Sequence, residues 1–113
     1  MWGSGTPLRE FIFSKDVAKL TSWVLDNYSD SEPLILSTSI EVTIKDVVNL
    51  IVKHMNFKGS VVWEDNKPDG QHRKPSDNSK LLSYLPDFKF TSLDDGLGET
   101  IDWFINNYDS SRK

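Results

Sequence analysis

The stretch EFIFSKDVAKLTSWVLDNY, residues 10–28, decides the fold class. It opens with a short apolar run, which predicts a strand over 10–13. At Ser14 the period changes. Val17, Leu20, Val24 and Leu25 fall on one stripe at helical spacing. Ser14 stands where an N-cap is expected, and Asp16 in the first turn complements the positive end of the helix dipole. A strand that turns directly into an amphipathic helix is the unit from which α/β layers are built.

The same alternation continues toward the C-terminus. Asp30, Ser31, Glu32 and Pro33 end the first helix, and PLILST (33–38) reads as a second strand. TIKDVVNLIVKHMNF (43–57) returns to helical spacing, with Ile44, Val47, Val48, Ile51 and Met55 as its buried stripe. Thr43 and Asp46 have the spacing of a capping box, with Asp where Glu or Gln is usual. Gly59 punctuates, and SVVWED (60–65) reads as a third strand. NSKLLSYL (78–85) is a short helical stretch closed by Pro86. Thr91 and Asp94 frame the start of a last helix, whose stripe is Leu93, Leu97, Ile101, Phe104, Ile105 and Tyr108. The order β-α-β-α-β-loop-α-α predicts a small α/β domain of two or three layers, with a short sheet of about three strands and about four helices. No repeat or linker divides it, so residues 1–113 are read as one domain.

Between the third strand and the short helix lies EDNKPDGQHRKPSDNSK, residues 64–80. The chain as a whole carries −4, yet residues 67–80 carry +2 and the remainder −6. Lys67, Arg73, Lys74 and Lys80 crowd into this segment, and His72 adds a possible further cation. Lys-Pro-Asp-Gly sets a tight turn: Pro68 fixes φ, and Gly70 tolerates the left-handed region. A stiff turn holds cations in place, so less entropy is lost on binding an anion. A local positive island on a negative body suits a compact phosphate group, and the overall charge argues against a nucleic-acid binder. Spacing alone fits a solvated surface loop equally well.

Other signals exclude more than they assign. There is no cysteine, hence no disulfide, thiolate nucleophile or cysteine zinc site. No apolar run approaches the roughly 18 residues of a membrane span, and the N-terminus has no secretory apolar core. A cytoplasmic location follows as the expectation, with the Asn27-Tyr28-Ser29 sequon unused. Gly3-Ser4-Gly5 is not a dinucleotide loop, because Leu8 stands at the third glycine position and Pro7 inside the loop. His54, within an amphipathic helix, is read as structural or on the surface and not as a ligand. The two histidines make no metal site. No tyrosine is followed four residues later by a lysine, as short-chain dehydrogenases require.

Two separated motifs add a resemblance. WGSGTPLREFIFSKDVA (2–18) and KPDGQHRKPSDNSKL (67–81) resemble the C-terminal half of the GDP-L-fucose synthase family, and LPDFKFTSLDDGLGETIDWFINNY (85–108) is similar to that family's terminal helix. These enzymes are extended short-chain dehydrogenases/reductases that epimerise and reduce GDP-4-dehydro-6-deoxy-D-mannose with NADPH. The resemblance implies that residues 1–113 form a C-terminal GDP-sugar-binding domain, with the NADP-binding Rossmann domain outside this chain. Trp2 then lines the substrate pocket, Arg9 meets the diphosphate, and Lys67 and Asp77 contact the nucleotide end. Arg73 and Lys74 match basic positions of the family as well. The reductase Ser, Tyr and Lys and the epimerase Cys and His belong to the other half, so no catalytic residue is expected here. The expected ligands are a GDP-sugar for this domain and NADP(H) for the whole enzyme, mainly on the absent half. No metal, nucleic acid or membrane is expected. The whole enzyme is expected to be a homodimer and this chain a monomer. Two other readings stay open: another GDP- or dTDP-sugar epimerase or dehydratase, or an interaction module whose basic loop docks an acidic partner.

Overall fold

The computed structural model describes residues 1–112. Its elements run β1 (Leu8–Glu10), α1 (Ser14–Asn27), β2 (Glu41–Thr43), α2 (Ile44–His54), α3 (Ser79–Tyr84) and α4 (Leu93–Asn106). The α/β class and the four helices match expectation. The sheet is smaller than expected: β1 and β2 form an antiparallel pair with Leu8 opposite Thr43, Arg9 opposite Val42 and Glu10 opposite Glu41.

Each strand correction has a local cause. The first strand lies at 8–10, not 10–13: Leu8 to Glu10 are the residues that pair with β2, and the Phe13 carbonyl is already committed to the Asp16 and Val17 amides of α1. Residues 33–38 form no ladder. Instead, Ser37 bonds side chain to side chain with Ser76, and its carbonyl accepts from the Asn78 side-chain amide at 2.8 Å. Residues 60–65 form a single parallel bridge, Glu64 with Trp2.

The helix starts follow capping chemistry. Phe13, not Ser14, occupies the N-cap position of α1, and no side chain caps it. Thr43 and Asp46 make the expected capping box at α2: the Asp46 N–H donates to Thr43 Oγ1 at 3.0 Å. For α4 the cap is one residue later than Thr91. Ser92 Oγ accepts from the Asp95 N–H at 3.1 Å.

Leu20, Leu81, Val47 and Ile101 are the buried apolar residues, one from each helix. Trp23 and Tyr28 of the α1 region meet Tyr84 of α3, with ring centroids 5.9 and 5.5 Å apart. α2 packs on α4. Asp16, 1% exposed, accepts from the Thr91 N–H at 2.7 Å and so ties α1 to the entry of α4. The predicted stripes were too generous at their ends: Leu25 is 81% exposed, and Met55, Ile105 and Tyr108 also lie on the surface. The radius of gyration is 16.7 Å, against about 13 Å for a compact domain of this length.

Candidate functional site: a cleft between the N-terminal turn and the basic loop

The N-terminal residues form an irregular turn laid across the start of α2. Gly3 and Gly5 hold φ of +82° and +76°, a region that disfavours side chains. Space imposes the same choice. A Cβ at Gly3 would lie 2.3 Å from Asp69 Oδ1, and one at Gly5 would lie 2.7 Å from the Trp63 ring. The Ile44 and Lys45 amides of α2 donate to the carbonyls of Pro7 (3.1 Å) and Gly5 (2.9 Å). Helix donors that would otherwise lack partners thereby fix the turn.

The basic loop is stitched to this turn and to β1. Glu64 N–H donates to the Met1 carbonyl at 2.8 Å, and Gly3 N–H to the Glu64 carbonyl at 3.0 Å. Leu8 N–H donates to the His72 carbonyl at 2.8 Å. The Asp69 carboxylate accepts from the Ser4 N–H (2.9 Å) and the Ser4 hydroxyl (2.6 Å). These two bonds, the hydroxyl's first, hold the Asp69 carboxyl below its ordinary pKa.

Trp2, Gly5, Pro7, Arg9, Pro68 and Gly70, with Asp69, border a cleft of about 140 Å³. The Lys67 ammonium stands 5.8 Å from the centroid of the Trp2 ring, which is largely exposed. Arg9 donates to the Leu8 carbonyl at 2.6 Å, which steers its guanidinium, and a Cβ at Gly70 would sit 3.4 Å from Arg9 Nη2. Arg9 also borders a second cleft of about 370 Å³, shared with Glu10, Leu36, Lys74 and Ser76. One arginine therefore links two adjoining hollows. Trp2 and Arg9 border one cleft, while Lys67 lines neither cleft and stands against the Trp2 ring. Asp77 lines neither cleft, and its Oδ1 accepts from the Ser79 N–H at 2.9 Å at the entry to α3.

Only part of the positive island is available. Arg73 forks onto the Glu41 carboxylate, with Nε 3.1 Å from both oxygens and Nη2 also donating. That fork raises the Arg73 pKa and lowers that of Glu41. Lys80 donates to Asp30 at 3.0 Å beside the Tyr28 ring. Among the described residues, Lys67 and Lys74 have no carboxylate partner. Sequence reasoning missed Asp69 as a wall of the cleft, and it missed Glu10 and Glu41 as holders of the loop. The one available signal was two glutamates flanking Arg9 and β2.

His54 is structural: its Nε2 lies 2.7 Å from Asp94 Oδ1, and Lys53 donates to both Asp94 oxygens at 3.2 and 3.1 Å. The described residues contain no cluster of three His, Asp or Glu side chains placed to hold a metal ion. Among the described residues, no helix is long and apolar enough to cross a membrane. The glycine turn does not fit the pyrophosphate of a dinucleotide. Its Gly3 amide is bonded to a carbonyl and its Ser4 amide to a carboxylate, whose charge would repel the phosphates.

The fold belongs with the class of nucleotide-sugar epimerases and dehydratases. The family model described as the NAD dependent epimerase/dehydratase family matches residues 1–37. Within that class the chain is similar to GDP-L-fucose synthases over its whole length, so the resemblance read from its motifs is borne out. It is 46% identical to the Drosophila melanogaster protein named "Probable GDP-L-fucose synthase", covering 100% of this chain and 36% of that one. It is 45% identical to the Dictyostelium discoideum GDP-L-fucose synthase, covering 98% and 35%. Its fold superposes on the GDP-L-fucose synthetase of Naegleria fowleri bound to NADP with a TM-score of 0.95 at 38% identity, covering 100% of this chain and 36% of that one. The chain thus spans about a third of the length of these relatives.

Proposed function

We propose that this chain is the GDP-sugar-holding part of a GDP-L-fucose synthase, an enzyme that epimerises and then NADPH-reduces GDP-4-dehydro-6-deoxy-D-mannose. The observation that carries this reading is the meeting of Arg9 with Trp2 and the Pro68–Gly70 segment around one cleft. Arg9 offers a planar fork of donors to the diphosphate, and Lys67 and Lys74 add point charges on either side. Trp2 presents an apolar face to the sugar. Asp77, assigned by the resemblance to the nucleotide end, stands outside both clefts, so the nearer contact there is given to Lys74. Catalysis and most of the NADP(H) contact belong to the remaining two-thirds of the enzyme, in keeping with the poor fit of the glycine turn to a dinucleotide. The surface apolar residues and the open shape of the chain support packing against that part. A cytoplasmic homodimer is part of the same reading.

The interaction-module alternative is weakened by the pairing of Arg73 and Lys80 within the chain, which leaves little free charge for an acidic partner. The test is steady-state kinetics of the whole enzyme. Arg9→Ala and Lys67→Ala are each expected to raise KM for the GDP-sugar about tenfold, with a smaller change in kcat. Unchanged KM in both variants would overturn the assignment.

A further inference from the structure

Resting on that reading, the geometry points to Glu10 and Glu41 as a pair of positioning residues that hold Lys74 beside Arg9 for the anionic ligand. The two glutamates face each other across the β1–β2 ladder. Like charges placed directly opposite destabilise a strand pair, so each needs a compensating partner. Both partners come from the basic loop. Glu41, its side chain 16% exposed, receives the Arg73 fork. Glu10 receives the Ser76 N–H at 2.8 Å and the Ser76 hydroxyl. Arg73 and Ser76 bracket Lys74 and Pro75. The segment is thus pinned at one end to β2 and at the other to β1, the strand that carries Arg9, and Pro75 stiffens the span between. Lys74 and Arg9 border the same hollow as a result.

The division of labour among the four cations follows from this. Arg73 is taken out of service by a carboxylate so that Lys74, which has no carboxylate partner among the described residues, stays aimed at the hollow. The depressed Glu41 carboxyl keeps the fork charged across the physiological range.

If Glu41 acts through Lys74, removing both must cost little more than removing one. GDP affinity of the whole protein is measured by calorimetry for the unmodified enzyme and for Arg9→Ala, Lys74→Ala, Glu41→Gln and the Glu41→Gln/Lys74→Ala double variant. Lys74→Ala and Glu41→Gln are each expected to weaken GDP about tenfold, and the double variant by about the same factor. Additive losses, about a hundredfold in the double variant, overturn the positioning role, as does unchanged affinity in either single variant. Glu10→Gln supplies a second entry to the same cycle should Glu41→Gln fail to fold. No GDP binding by the unmodified enzyme, or no effect of Arg9→Ala, sinks the underlying functional reading instead. The two failures therefore carry different signatures.

Discussion

Residues 60–76 and the four helices hold their shapes by different means. Each helix contributes a residue sealed from solvent, and Leu20 and Leu81 are fully so. Between 60 and 76 no apolar residue is buried, and Trp63 is only half-buried. That wall is held by directional bonds: Glu64 to the N-terminal turn, Asp69 to Ser4, His72 to Leu8, Arg73 to Glu41 and Ser76 to Glu10. Apolar burial is non-directional and tolerates repacking. A hydrogen bond fixes distance and angle. The comparison teaches that the helices supply burial while the polar wall supplies the fixed positions on which the proposed ligand contacts depend.

The largest test falls on the helical side. Leu20→Ala removes a fully buried side chain and is expected to lower unfolding stability by about 2–5 kcal/mol, read by urea denaturation. The GDP affinity of the folded protein should stay unchanged. If Leu20→Ala weakened GDP as much as a change in the wall does, the two regions would not be separable.

The next test inverts that pattern. Gly3→Ala places a side chain at a left-handed φ and against the Asp69 carboxylate. The backbone penalty is about 1–2 kcal/mol, and the displaced Asp69 should release the loop from Ser4. A fall in GDP affinity larger than the fall in stability is expected, measured by titration alongside denaturation. A loss of stability with intact affinity would mean that the loop keeps its place without the Asp69–Ser4 bonds.

The smallest effect sharpens the helical side alone. The His54 bond, and after it Lys53, hold the Asp94 carboxyl below its ordinary range. A depressed carboxyl contributes stability above its unfolded pKa and loses it as pH falls through the folded pKa. Wild type should therefore exceed Asp94→Asn slightly in urea midpoint near pH 6, and the gap should close as pH is lowered through the carboxylate range. A gap independent of pH would remove the ionic contribution from the α2–α4 contact.

The parts of this molecule that follow local rules were legible in the sequence. α2 was readable because Thr43 and Asp46 form a capping box regardless of context. The tight turn expected at Lys67–Gly70 lies instead at Glu64–Lys67, where the Lys67 N–H donates to the Glu64 carbonyl at 3.0 Å, and Arg9 was readable only through the family resemblance. Strands were not, because a strand is defined by a partner that the sequence does not name. Leu34 and Leu36 are half-buried and Ile35 exposed, as in a strand, yet the Ser37 carbonyl is taken by the Asn78 side-chain amide. The reach of the cation cluster was overread for a similar reason. Glu41 lies 32 residues before Arg73, and Asp30 lies 50 before Lys80; neither distance shows that the charges cancel.

Strands of three residues have little hold on one another, and a slide by one position would turn every side chain to the opposite face. Arg9 would then leave the cleft. The loop's grip on Glu10 and Glu41 works as an alignment key, since only the observed offset presents both carboxylates to Arg73 and Ser76 at once. The Arg73–Ser76 segment, outside both strands, thus dictates how the sheet is assembled.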